Sequence, residues 1–530
     1  MKRLFILFTV LMLSACQGGQ TDDGLQGLSY EEDRSNFPQK NVVMIIVDTM
    51  MGSLVESSLE KNNMPALRYL VERGQYYNDL VSPFPTMSVT IESTLLTGEM
   101  SDKHKVPGLY WYNEAEDRMV NYGTSIQTLL SLGLRDSLID AAYNLNNKHL
   151  NPNVPTIFEE LSERGFSTGA INLIVYRGDE THVLEFPGLS NEIVNLPDTI
   201  ETKGPDLLAF GRFKIPEFLD DYNFTDGIFN RYGINDKYST EVMRALIEQG
   251  DQPHFTLVFF PEFDITAHEH SPHYRAGFEE IDNYLQEILN AYDSWEAALE
   301  NNIFILLGDH GQDKLAENEE ALTIDLRDLY DGYLASSLGA PVSEGEIAFG
   351  VNGRMSYIYD VQRQGILQEL GKQAIDDYRI DFAAWLTDNG DDDWVTVQAY
   401  REKNSEFLFK PGGSWTDRYG QTWSIEGDPT VLTLKLDDAS KEIAYVDYPD
   451  VLNQLYTSLK SHEASKLILT AKPGFSFYDD TVPTYPAGGD HGGIHKNDAL
   501  AVLIIAGTDK KPKNLRILDL KDYVLELLSE

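Results

Sequence analysis

Residues Asn302 to Gln312, NIFILLGDHGQ, restrict this chain more than any other stretch. An apolar run, Ile303 to Leu307, passes directly into Gly308-Asp309-His310-Gly311. A run of that length and type suits a strand buried on both faces of a parallel sheet, and the polar tetrad falls where the strand leaves the sheet. In open α/β sheets the crevice beyond the carboxyl ends of the strands is where ligands bind. The flanking glycines permit backbone angles and close approaches that other residues forbid, so Asp309 and His310 can converge on one exit turn.

Other apolar runs share this pattern. Asn41 to Asp48 (NVVMIIVD) reads as a strand with Asp48 at its carboxyl tip, and His254 to Phe260 (HFTLVFF) as another. The second is followed by Asp264 and His268, four residues apart and so on one face of a helical turn. An amphipathic helix over Gly277 to Ala291 then leads to the Ile303 strand, which gives a βαβ unit with polar residues at one end of both strands. Met64 to Gly74 reads as a helix stopped by glycine, and Thr156 to Asn172 as helix, turn and strand. Ser82 to Gly98 is rich in hydroxyls after two prolines and reads as a loop entering a helix near Ser88, where free backbone N–H groups attract an anion. A second Gly-Asp-His-Gly lies in Gly488 to His495 (GGDHGGIH), ahead of the buried strand Ala499 to Gly507, and a helix closes the chain over Leu515 to Leu527.

At 530 residues the chain exceeds one ordinary core. The expected division is a catalytic core over 37–325, with 105–238 partly a cap, an inserted α+β lobe over 326–475, and a return to the core over 476–530. Strands are expected in the lobe at Arg354 to Asp360, Trp394 to Tyr400 and Thr430 to Lys435, and helices at Ile366 to Tyr378 and Pro449 to Ser461. Lys and Arg number 42 against 85 Asp and Glu, a formal charge of −43. A surface so acidic repels nucleic acid and anionic membrane, so neither is an expected binding partner. Met1-Lys2-Arg3, the apolar Leu4 to Leu13 and Leu13-Ser14-Ala15-Cys16 resemble a bacterial lipoprotein signal, with Cys16 as the lipidated residue. The expectation is an extracytoplasmic protein, lipid-anchored to the bacterial cell membrane, with residues 17–36 as a flexible tether. Cys16 is the only cysteine, which rules out an intrachain disulfide and thiolate catalysis.

Asp48, Ser88, Asp264, His268, Asp309, His310 and His491 all fall at strand ends or on the turns beside them. This mixture of carboxylates and imidazoles suits Zn²⁺, with Mn²⁺ or Fe²⁺ as alternatives, and is too rich in nitrogen for Ca²⁺ or Mg²⁺. The set exceeds one tetrahedral site, and two adjacent divalent metal ions account for it.

In order and spacing these motifs resemble the alkaline phosphatase superfamily, closest to its type I phosphodiesterase/nucleotide pyrophosphatase branch. VVMIIVDTM resembles the first metal-binding strand, SPFPTMSVTIESTLLTG the nucleophile segment, and FPEFDITAHEH the Asp-x-x-x-His motif. LLGDHGQ and GGDHGGIH are similar to the Asp-His-Gly and late His-Gly motifs. The resemblance implies a mostly parallel α/β sheet flanked by helices, and two-metal hydrolysis of a small-molecule phosphate ester. It assigns Asp264, His268 and His491 to one metal and Asp48, Asp309 and His310 to the other. Ser88 becomes the nucleophile, forming a phosphoseryl intermediate, with Thr90 and Thr86 as fallbacks. His495 is a candidate substrate contact, and Asp490 reads as structural. The branch's phosphate-contacting Asn falls here at Leu109, with Asn113 close by. Alternatives within the same fold are a phosphomonoesterase, a phosphonate hydrolase or a sulfatase and, from a different functional class, a surface binding protein that has kept the fold but lost activity. Substrate identity and oligomeric state are open at this level.

Overall fold

The computed structural model describes residues 40–529 apart from 62, 124–133, 187–196, 389–392, 401–404 and 480. The signal segment, Cys16 and the tether lie outside the described residues.

The core is a seven-stranded mixed sheet. Its strands are β1 (Asn41–Val47), β2 (Gly74–Val81), β3 (Thr168–Ile171), β4 (Leu207–Ala209), β5 (Phe255–Phe260), β6 (Asn302–Gly308) and β7 (Leu500–Ala506). They lie in the order β2-β7-β6-β1-β5-β3-β4. β1 pairs in parallel with both β5 and β6, while β7 runs antiparallel to β6 and to β2. β5 and β6 are therefore not neighbours, and β1 fills the space between them.

The apolar runs are explained by layering. Along β1, Val42, Met44 and Ile46 enter one core cluster, and Val43, Ile45 and Val47 enter another on the opposite face. β6 divides in the same way, Ile303, Ile305 and Leu307 against Phe304 and Leu306. A strand covered on both faces cannot alternate apolar with polar, and each fully buried aliphatic side chain contributes about 1.5–3 kcal/mol. Three helices cover the two faces beside the site: α1 (Ser88–Thr97), α2 (Glu262–Glu269) and α3 (Arg275–Asn290). α1 packs on the first face through Val89, Ile91, Leu95 and Leu96. α2 and α3 pack on the second, with Phe263, Ala267, Phe278, Ile281 and Leu285.

A second sheet, of nine antiparallel-rich strands, spans residues 347–471 and has its own cores on both faces. Expected strands at 354–360 and 394–400 correspond to Met355–Asp360 and Asp393–Ala399. Expected helices there correspond to Leu367–Ala374 and Val451–Leu459. The strand expected at Thr430 to Lys435 is instead a short 3-10 turn, Pro429–Leu432, followed by a strand at Lys435–Asp437. Pro429 opens the turn, and Asp428 caps it by accepting from the Thr430 N–H, chemistry that a period-two reading overlooks. The expected helix at the C-terminus is shorter, Leu520–Leu528, after a 3-10 turn.

Candidate metal centre

Each polar cluster residue sits where an element ends at the carboxyl edge of the central sheet. Asp48 follows β1, and Asp309 and His310 follow β6. Asp264 and His268 lie on α2, directly after β5, and His491 lies on the loop before β7. Gly308 and Gly311 keep φ negative, so their role is close approach alone. A Cβ on Gly308 would lie 2.4 Å from the Met50 carbonyl oxygen, and one on Gly311 2.2 Å from that of Asn497.

His310 Nε2 stands 3.3 Å from Asp48 Oδ1 and 3.4 Å from Asp309 Oδ2. On the other side, His268 Nε2 is 3.3 Å from Asp264 Oδ2, and His491 Nε2 is 3.7 Å from Asp264 Oδ1. The rings of His310 and His491 stack at 3.9 Å between centroids. Ligand atoms of Asp264, His268 and His491 form one compact group within 4.8 Å, and those of Asp48, Asp264 and His310 form a second. Asp264 thus lies in both groups, and Asp309 joins through His310.

The tautomers are set by the backbone. His268 Nδ1 faces the Gly489 carbonyl at 2.7 Å, His491 Nδ1 the Thr86 carbonyl at 2.6 Å, and His310 Nδ1 the Gly311 carbonyl at 3.0 Å. A carbonyl only accepts, so each Nδ1 carries a hydrogen and each Nε2 is the ring nitrogen turned to the cluster. Asp48 Oδ1, Asp309 Oδ2 and His310 Nε2 are buried without any hydrogen-bond partner. Asp48 Oδ1 and Asp309 Oδ2 each approach His310 Nε2, three orphaned atoms whose burial is costly with protein contacts alone, and a cation beside His310 would answer them.

Electrostatics point the same way. Burial pushes the Asp48 carboxyl well above its usual range, and the nearby Asp309 and Asp264 add to the shift. Burial also raises Asp309, against the opposing effect of His310. Burial pushes Asp264 up too, but His268, His491 and His310 outweigh it and hold that carboxyl well below its usual value. Burial lowers His268, yet Asp264 prevails and raises it to about 9. Burial and the neighbouring His310 depress His491.

The hydroxyl candidates separate clearly. Ser88 is the first residue of α1, half-buried, and its hydroxyl makes no hydrogen bond to a described residue. Met87 offers α1 no side-chain cap, so the first turn keeps N–H groups for an anion. Thr86 is fully buried and engaged twice, donating to the Gly493 carbonyl at 3.0 Å and accepting from the Gly492 N–H at 2.8 Å. Thr90 is also fully buried and donates to the Val106 carbonyl. His495 makes its contacts elsewhere, accepting from the Asn497 N–H at the start of a short helix and meeting Tyr448 edge-on. Asp490 accepts from the His491 N–H and from Ser476, a scaffolding arrangement. Asn113 accepts from Glu116 N–H in a hairpin turn. The Leu109 N–H donates to Asn352 of the second sheet at 2.7 Å.

Two residues at the cluster escape a reading by motif. Thr49, held at φ +67°, donates from Oγ1 to Asp264 at 2.8 Å, and its N–H donates to Asp309 at 3.0 Å. Gln312 donates to Asp264 and to Thr49 Oγ1. The available signal was proximity in sequence, since Thr49 follows Asp48 and Gln312 stands two residues after His310. Glu92, one turn beyond Ser88 on α1, is a third: buried, it accepts from the Ile174 and Val175 N–H groups, and burial pushes its carboxyl up to about 8.

The sequence from residue 42 to 494 matches the family model of type I phosphodiesterase / nucleotide pyrophosphatase. No protein of curated function is matched by sequence. Among solved structures, the fold is similar to human ectonucleotide pyrophosphatase/phosphodiesterase 5, at 12% identity and a TM-score of 0.53 over 92% of this chain and 94% of that one. The murine counterpart, an inactive variant in complex with AMP, is similar at 12% identity and a TM-score of 0.52 over the same shares. At that identity the likeness speaks for the fold, a mixed, mostly parallel central sheet with a second antiparallel lobe. The family match covers most of the chain, and with it the chain belongs to the type I phosphodiesterase/nucleotide pyrophosphatase family of metal-dependent hydrolases.

Proposed function

We propose that the protein hydrolyses phosphate diesters at a two-cation centre, with Ser88 as the nucleophile. The observation that carries this reading is the convergence of Asp48 Oδ1, Asp309 Oδ2 and His310 Nε2, buried and without protein partners, at the carboxyl edge of the sheet. Asp48, Asp309 and His310 would hold one cation and Asp264, His268 and His491 the other, with Asp264 close to both. Zn²⁺ suits this donor set, and Mn²⁺ or Fe²⁺ would fit it as well. Bound there, such cations supply Lewis acidity toward a hydroxyl and charge neutralisation at a leaving oxygen.

The chain's own residues provide the rest. Ser88 Oγ attacks phosphorus in line, the P–O bond to the leaving alcohol breaks, and a phosphoserine forms. Water then cleaves that ester, releasing a phosphate monoester and restoring Ser88. Free N–H groups in the first turn of α1 would donate to the phosphoryl oxygens, and Thr49 and Gln312 hydrogen-bond Asp264 and keep it in position. A relative of the same fold was solved with AMP, which makes nucleotide esters the first natural substrates to try. The proposed setting is extracytoplasmic, with lipid attachment at Cys16, to be checked by mass spectrometry of the mature N-terminus.

Turnover of bis-p-nitrophenyl phosphate against p-nitrophenyl phosphate, with Zn²⁺ or Mn²⁺, is the test. Diester turnover abolished in Ser88→Ala and His310→Ala is the expected result. Monoester preference would move the substrate class. Absence of turnover on both, with less than one metal bound, would overturn catalysis and favour a binding role.

A further inference from the structure

We propose that Arg354, carried by the second sheet, is a positioning residue that sets the two loops bearing His310 and His491, so that the lobe is part of the metal centre. This rests on the cation-binding reading above.

Arg354 is fully buried, and a guanidinium out of water must be answered by charge and hydrogen bonds. Its charged partners all come from the two ligand loops. Nη1 donates to both oxygens of Asp498, at 2.7 and 2.6 Å, and Nη2 lies 3.5 Å from Asp313 Oδ2. Asp313 stands three residues after His310 and is strand-paired with Asp490, which immediately precedes His491. The Asp498 carbonyl accepts from the Gly311 N–H at 2.8 Å, beside His310. The Arg354 N–H itself donates to the His491 carbonyl at 2.7 Å. One side chain and its own amide therefore touch both loops.

The turn that presents Arg354 fits closely. Gly353 has φ +61°, and a Cβ there would lie 2.3 Å from the His491 carbonyl oxygen. Asn352, before it, accepts from the Leu109 and Tyr110 N–H groups at 2.7 and 3.2 Å and donates to the Tyr110 and Gly350 carbonyls. Asn352 is thus saturated, and it ties the segment after α1 to the same turn. Asp313, Asp490 and Asp498 crowd together in a chain that is already strongly acidic, and Arg354 is the cation buried among them.

A buried ion pair that only docks the lobe would leave the metal's surroundings unchanged, and this separates the two roles. Arg354→Met and Arg354→Lys would be compared with the neutral pair Arg354→Met/Asp498→Asn, which removes the carboxylate that Arg354 binds most closely if the single variant fails to fold. Zn²⁺ affinity should fall by about 10- to 100-fold in the folded variants. The visible absorption of bound Co²⁺ should shift. In the metal-free protein, hydrogen exchange should quicken over 308–313 and 488–498 while 255–260 stays protected. Arg354→Lys, which keeps the charge without the planar fork, should rescue only in part. A folded neutral pair with wild-type Zn²⁺ affinity and Co²⁺ spectrum would overturn the proposal. If the wild-type chain binds neither ion, the metal reading fails on its own. Exchange in the metal-free chain then decides, and unchanged exchange in both loops overturns the role of Arg354 as well.

Discussion

The two halves of the proposed metal centre are built differently. Asp48, Asp309 and His310 ride on the exits of β1 and β6, paired in parallel over their whole length and buried on both faces. Asp264, His268 and His491 come from a helix and from a loop; Arg354 of the second sheet binds that loop and also reaches the turn after His310, beyond the strand end itself. The first half also holds the orphaned acceptors, whereas in the second Asp264 Oδ1 accepts from Thr49 and Gln312. A rigid strand end can carry unsatisfied polar atoms in place because packing over-determines it. A loop position depends on neighbours far away in sequence.

The largest effect should come from the rigid half. His310→Ala removes the atom on which Asp48 and Asp309 converge, and diester turnover should fall by on the order of 10³ or more with the fold intact. Steady-state assays beside circular dichroism would check this. A variant with residual activity near wild type would place the chemistry elsewhere. Next, His491→Ala should lose one of two bound metals and keep the other, as read by metal analysis after dialysis; loss of both would show that the halves are not separable.

The contrast also explains what the sequence disclosed. Apolar runs ending in Asp48 and in Gly308-Asp309-His310 are local signals, because a strand covered on both faces has no polar positions to blur the pattern. The spacing of Asp264 and His268 was equally local, and the structure places both in one helix. Arg354 and Asn352 gave no such signal, since partners such as His491 and Leu109 lie 137 and 243 residues away along the chain. Thr49 and Gln312 lay within two residues of recognised positions, but only the fold turns their side chains onto Asp264. The turn at Pro429 shows the reverse failure, a locally strand-like sequence diverted by a proline and an aspartate cap.

Smaller effects sharpen the comparison. Thr49→Val keeps the branched shape but loses the hydroxyl that orients Asp264, and should weaken Zn²⁺ binding by about tenfold in a calorimetric titration. An unchanged affinity would reduce Thr49 to packing. Glu92→Gln probes the ground beneath Ser88. The Glu92 carboxyl sits near 8 in the folded chain against 4.5 as its ordinary value, so the folded state binds the extra proton between those limits. Its stabilising contribution is complete below about pH 4.5 and is lost as pH rises through about 8, with a slope of at most about 1.4 kcal/mol per pH unit. Glutamine can still accept from the Ile174 and Val175 N–H groups and does not ionise. Urea midpoints of the metal-free protein should therefore fall more from pH 5 to pH 8 in the wild type than in Glu92→Gln. Parallel curves would remove Glu92 from the account.

The most direct test of the central claim is anomalous diffraction from crystals grown with Zn²⁺. Two peaks about 3.5–4 Å apart are expected. One should be bounded by Asp48, Asp309 and His310, the other by Asp264, His268 and His491, with Ser88 Oγ facing the first. No peak at this cluster, or a single ion with the Asp48 side still empty, would contradict the two-cation centre.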